Sequence, residues 1–195
     1  METKTIFFIG KPGCGKGMQA KMLSKVTVWR VVSSGQQFRA MAEEDTPVGH
    51  KVKAENDAGM LQPYWLATYL FLKTLFLVRA DEGVIFDGSG RKVQEAELII
   101  DSLKWLGRPC IVLNIQISDK SVRRRLALRK NIESRTDDFA IEERLNEYHK
   151  HTEPVIELFR RENVLIEIDG EPTPEKIAVD IKKKLNLPDG KAGIK

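Results

Sequence analysis

The chain has 195 residues, 42% of them hydrophobic, two cysteines and a formal net charge of +4. That length fits one domain with a full core, and no apolar run is long enough to span a bilayer. The arginines are scattered among acidic residues rather than gathered on a basic face, which argues against nucleic acid as a partner. Cys14 and Cys110 sit in settings that suggest no bridge, so a reducing, cytoplasmic protein is expected.

In chain order, an apolar run over 4–9 reads as a buried strand. It opens into Gly10-Lys11-Pro12-Gly13-Cys14-Gly15-Lys16-Gly17, and a helical stretch follows over 16–25. Strand, glycine loop and helix in that order build a phosphate cradle. Glycines let backbone N–H groups turn inward on an anion, the helix start adds its positive dipole end, and Lys16 supplies a point charge. A plain glycine turn does not account for a lysine placed where the helix begins. Further strands are expected over 28–32, 83–87, 110–117 and 164–168. Helices are expected over 36–43, 47–58, 63–80, 93–106, 120–130, 140–161 and 174–185.

Five short apolar runs separated by helical patterns predict an α/β fold, a five-stranded parallel sheet with helices on both faces. Sheets of that kind bind ligands at the carboxyl ends of their strands. Those ends carry the glycine loop, Ser33-Ser34, Asp87 to Arg91, Ser118-Asp119 and Asp169-Gly170, which would gather polar groups around one crevice. Between the second and third strands lie helical stretches and no strand, which predicts an inserted helical unit.

The motifs now resemble those of the adenylate kinases, within the nucleoside monophosphate kinase family. The resemblance runs over roughly 4–185. The glycine loop at 10–17 resembles the family's P-loop, and Ser33-Ser34-Gly35 with Arg39 resembles its Ser-Thr-Gly…Arg segment. Gly59-Met60-Leu61-Gln62-Pro63 matches a Gly-x-Leu-Val-Pro turn, and Asp87-Gly88 with Arg91 resembles Asp-Gly-Phe-Pro-Arg. Arg125, Arg129, Arg135, Asp137, Asp138 and Arg144 match the lid and its flanks. Glu147-Tyr148-His149, then Thr152-Glu153-Pro154, match the helix that follows.

The resemblance implies a helical insert for the nucleoside monophosphate over about 33–62 and a short lid over about 129–138. It implies ATP and a monophosphate, AMP by overall likeness, as substrates of a cytoplasmic monomer. Gly13, Cys14, Gly15, Lys16, Gly17 and Met18 would hold the ATP phosphates, with Arg125, Arg129 and Gly170 around the rest of ATP. Ser34, Arg39, Met60, Leu61, Gln62, Gly88, Ser89, Gly90, Arg91 and Glu95 would line the AMP site, with Arg135 and Arg144 reaching it from the lid. Lys16, Arg91, Arg129, Arg135 and Arg144 would be catalytic, neutralising charge on the transferring group. Arginine suits that work because its planar fork binds phosphate oxygens bidentately and stays protonated. Asp87 would hold Mg²⁺ through water. The lid holds no cysteine or histidine, so no zinc is expected.

The sequence departs from the family pattern at five places. Met18 stands where a threonine hydroxyl would lie beside phosphate and metal. Ser34 keeps a hydroxyl where threonine is usual, and Gln36 replaces an aspartate near the metal's water shell. Ser89-Gly90 replaces Phe-Pro before Arg91, which predicts a less preorganised arginine. Glu95 replaces a glutamine that reads adenine; a carboxylate only accepts hydrogen bonds and would suit guanine better. Three readings therefore stand: an adenylate kinase, a kinase with relaxed or GMP-shifted acceptor choice, and a nucleotide-binding protein with impaired turnover. For Glu95 itself the alternative is a solvent-facing side chain.

Overall fold

The structure, a computed structural model, describes residues 4–133 and 140–187. Its centre is a parallel sheet in the order β2-β3-β1-β4-β5. The strands are β1 (Thr5–Gly10), β2 (Arg30–Ser33), β3 (Val84–Asp87), β4 (Cys110–Gln116) and β5 (Leu165–Asp169). β1 lies in the middle, paired with β3 through Thr5 and Val84 and with β4 through Thr5 and Cys110. A central strand covered on both faces has no polar side to present, and every residue of TIFFIG is buried.

Alternation sends β1's side chains into two separate apolar layers. Ile6 and Phe8 face α1 (Lys16–Thr27), α6 (Asp119–Glu133) and α9 (Pro174–Lys184), where Leu23, Leu126 and Ile181 complete one core. Phe7 and Ile9 face α4 (Tyr64–Leu75), α5 (Val93–Trp105) and α8 (Glu153–Arg161), with Phe71, Ile99 and Phe159. In that second layer Phe7 stacks on Phe86 at 5.0 Å between ring centres, and Phe71 tilts onto Phe86 at the same distance. Pairs of this kind add about 0.5–1.5 kcal/mol beyond the area they bury. The expected five-stranded parallel sheet with helices on both faces is therefore present.

α2 (Ser34–Ala42) and α3 (Pro47–Asp57) pack on each other between β2 and α4. α3 starts where its composition says it should: Thr46 Oγ1 accepts the Gly49 N–H at 3.0 Å, and Pro47 occupies the first turn, where no N–H is needed. α7 (Ile141–Glu147) completes the set of α-helices among the described residues.

Three differences from the sequence expectation have a clear physical cause. β2 begins at Arg30, because Val28 closes α1 in a left-handed conformation (φ 61) with its N–H on Ser24. α4 ends at Leu75 rather than running to residue 80. There the chain tightens into i→i+3 bonds, Leu77 N–H to Thr74 and Val78 N–H to Leu75. The helix expected as one piece over 140–161 is interrupted by a π-helical turn, Tyr148–Thr152, just before Pro154, which has no N–H to donate. Of the lid expected over 129–138, residues 134–138, Arg135 among them, lie outside the described residues.

Candidate active site

All five strands point their carboxyl ends the same way, and a cavity of about 770 Å³ opens there. That is within the ~300–1,000 Å³ usual for small-molecule sites. The glycine loop forms one wall. Gly13, Cys14, Gly15, Lys16, Gly17 and Met18 all line it, and Met18 is 54% exposed. The Cys14 N–H returns to the Lys11 carbonyl at 3.3 Å, and α1 then starts from Gly15 in a left-handed conformation (φ 101).

Lys16 turns back on its own loop. Its ammonium donates to the carbonyls of Gly10 (2.8 Å) and Lys11 (2.9 Å) and lies 3.5 Å from the Cys14 sulfur. Burial lowers its pKa from the ordinary lysine value. Cys14 opposes that shift, Arg91 adds to it, Asp87 opposes it, and Arg144 adds to it again. An arriving phosphate would counter the desolvation directly.

Basic side chains from separate elements converge on the same cavity: Arg39 from α2, Arg91 after β3, Arg125 and Arg129 from α6, and Arg144 from α7. Arg125 also ties two loops together, donating to the Gly170 carbonyl at 2.8 Å and to the Cys14 carbonyl at 3.4 Å. Gly170 and Gly90 do not themselves line the cavity. Gly170 lies behind Arg125, and Gly90 packs towards Ile99 and Phe159.

The turn after β3 carries the acidic and acceptor-side groups. Asp87 lines the cavity, with its Oδ2 3.1 Å from where a Cβ on Gly17 would stand, so the carboxylate faces the start of α1. The Ser34 hydroxyl donates to the Gly88 carbonyl at 2.9 Å and joins α2 to this turn. Gly88 and Gly90 both take positive φ, 82° and 75°, a conformation that side chains disfavour. A Cβ at Gly88 would also run into the Arg91 guanidinium.

Arg91 is held at three points in the absence of the proline. Its N–H donates to Glu95 Oε2 at 2.9 Å, its Nε donates to the Gly88 carbonyl at 2.8 Å, and its carbonyl accepts the Thr152 hydroxyl at 3.1 Å. Substituting Gly90 for proline thus leaves the turn supported by side chains instead of by a ring.

Glu95 lines the cavity and is 5% exposed, so the solvent-facing alternative is corrected. Its carboxylate, in the first turn of α5, accepts the N–H of Arg91, two residues before that helix begins. Burial raises its pKa, while the hydrogen bond and charge of Arg91 act the other way. Met60, Leu61 and Gln62 also line the cavity, as do Gly88, Ser89 and Ser34. Gln62 spends its amide N–H groups on the Val52 carbonyl (3.2 Å) and Asn56 Oδ1 (3.1 Å).

Several cavity residues were given no site role in the sequence reading. Glu147 at the end of α7, and Tyr148 and Thr152 from the π-helical turn, line the cavity although the sequence marked them only as part of a helix motif. Lys11 joins the loop to α6 through Asp119 at 2.5 Å, and Asp119 is 3.3 Å from His149. The local signal for these positions was the Thr152-Glu153-Pro154 break, since a regular helix would have turned some of them outward.

The sequence pattern described as adenylate kinase matches residues 8–164. Among curated relatives, the adenylate kinase of Cyanothece sp. is 33% identical over 180 residues, covering 91% of this chain and 92% of that protein. That of Porphyromonas gingivalis is 34% identical over 90% of this chain and 92% of its own length. That of Thermus thermophilus is 30% identical over 94% and 98% respectively. With the family match running over residues 8–164 and relatives 30–34% identical over nine-tenths of the chain, the chain belongs to the adenylate kinase family.

Proposed function

We propose that the crevice transfers the terminal phosphoryl group of ATP to AMP, giving two ADP. The observation that carries this reading is the convergence of Lys16, Arg39, Arg91, Arg125, Arg129 and Arg144 on one cavity beside the glycine loop. Two nucleotide phosphate groups brought together need that density of positive charge.

In this reading the loop amides at 13–18 and Lys16 hold the ATP phosphates. Arg125 and the Gly170 turn flank the ATP base. Arg39 and Arg91 hold the AMP phosphate, with Ser34, Met60, Leu61, Gln62, Gly88, Ser89, Gly90 and Glu95 forming the walls and supports of the acceptor site. Arg129, Arg144 and Arg135 stabilise the transferring group. The acceptor phosphate is already anionic at neutral pH. Catalysis is then chiefly positioning and charge stabilisation.

The Asp87 carboxylate facing the start of α1 fits a Mg²⁺ ion that it would hold through water beside the phosphates. When bound, that ion supplies charge neutralisation between the phosphates. Closure of the insert at 33–62 and the lid at 129–138 would exclude water, a competing acceptor. No helix among the described residues is long and apolar enough to cross a membrane; a cytoplasmic monomer fits this reading.

The division into donor and acceptor sides is tested by Arg91→Ala. Losing hydrogen bonds to a charged group costs about 1.5–3 kcal/mol, so KM for AMP should rise roughly 10- to 100-fold. KM for ATP should stay within about threefold on the same free-energy scale. Equal increases for both nucleotides would remove the assignment of Arg91 to the acceptor side.

A further inference from the structure

We infer that Glu147 and Thr152 are positioning residues for the acceptor side of the crevice, brought onto one face of their helix by the π-helical turn. The inference rests on the proposed phosphoryl transfer to AMP and adds to it the device that holds the acceptor site in shape.

Both side chains are buried polar groups, 8% and 3% exposed, and both line the cavity. Glu147 Oε2 accepts the Leu61 N–H at 2.8 Å. The Leu61 carbonyl in turn accepts from Lys92 Nζ at 3.3 Å. Five residues on from Glu147, the Thr152 hydroxyl donates to the Arg91 carbonyl at 3.1 Å. Two backbone turns, 59–63 and 88–91, therefore hang from two side chains of one helical segment. These are the turns that carry the proposed AMP walls and the proposed phosphate arginine.

The winding of the helix explains how one segment reaches both. At 3.6 residues per turn an α-helix advances about 100° per residue, so positions five apart face about 140° apart. Glu147 and Thr152 would then point to different sides. One residue further on, the Glu153 N–H bonds to the Tyr148 carbonyl, an i→i+5 bond across this stretch. That wider winding carries the fifth residue back towards the face of the first. The interruption thus serves geometry that a regular helix cannot supply.

Neither residue needs to touch a nucleotide to matter. Arg91 keeps its guanidinium on the Gly88 carbonyl at 2.8 Å only while its own backbone stays in place. A misplacement of about 1 Å at a positioning residue can cost on the order of 100-fold.

The test compares Glu147→Ala, Glu147→Gln, Thr152→Val and Thr152→Ser in the full chain, by steady-state kinetics with ATP and AMP varied separately and by thermal melts. Glu147→Ala and Thr152→Val should each raise KM for AMP about tenfold, the loss of one charge-assisted or buried hydrogen bond, and leave KM for ATP within about twofold. Gln retains an acceptor for the Leu61 N–H and Ser retains the hydroxyl, so both should stay within about threefold of wild type. A purely structural role would lower the melting temperature and the active fraction without moving KM. KM for AMP within twofold of wild type in both Glu147→Ala and Thr152→Val, or equal rises for both nucleotides, would overturn the inference. A wild-type chain that turns over no AMP would overturn the functional reading instead, and this inference with it.

Discussion

Lys16 carries the donor side of the proposed reading. Its half-buried ammonium donates to the Gly10 and Lys11 carbonyls, which aims it at the loop. In that reading phosphate oxygens, with full negative charge, would be stronger partners than carbonyls. Lys16→Ala removes the charge and leaves the backbone amides. Removing one preorganised group of this type costs about 10²–10³ in kcat, and that loss is the expected result in a steady-state assay. Activity within a few-fold of wild type would contradict the role. The loop residues could be read from sequence because they are contiguous and their spacing carries the chemistry. Glu95 could not be read in the same way. Its partner is the Arg91 N–H, and that pairing depends on a turn of two positive-φ glycines whose shape the residue types permit without dictating.

At the level of elements, Glu95 sits in the first turn of α5 and accepts the Arg91 N–H, which ties the start of that helix to the turn before it. The cost is a buried charge. Its folded-state pKa lies above the ordinary glutamate value because burial outweighs the Arg91 hydrogen bond. The folded state therefore binds more protons than the unfolded one between the two values. The favourable contribution is complete below the unfolded pKa and is lost as pH rises through the folded pKa. Glu95→Gln keeps an acceptor and does not titrate. Its melting temperature relative to wild type should consequently rise between pH 4 and pH 7.5, and thermal melts at the two pH values check this. A constant or falling difference would show that the charge is not strained by burial. Elements with strong local patterns, such as β1 and α3, were legible from apolar runs and caps. The end of α4 and the π-helical turn were not, because i→i+3 tightening and i→i+5 winding are settled by packing and by Pro154 rather than by periodicity.

For the whole molecule, parallel strands are what make one crevice out of scattered motifs. Order β2-β3-β1-β4-β5 sets the glycine loop after β1 next to Asp87 at the end of β3, and sets α6 with Arg125 against the turn after β5. The sequence made this assembly legible because five apolar runs alternate with helices and each polar motif follows a run. It left the supports of the acceptor side hidden, since Glu147 meets Leu61 across 86 positions and Thr152 meets Arg91 across 61. The central claim is that this assembly moves a phosphoryl group from ATP to AMP, and a coupled assay of ADP formation with AMP, GMP, CMP and UMP at saturating Mg²⁺ tests it most directly. The account predicts two ADP for each AMP consumed and AMP as the preferred acceptor. Binding of both nucleotides without turnover, or faster turnover with GMP than with AMP, would contradict it.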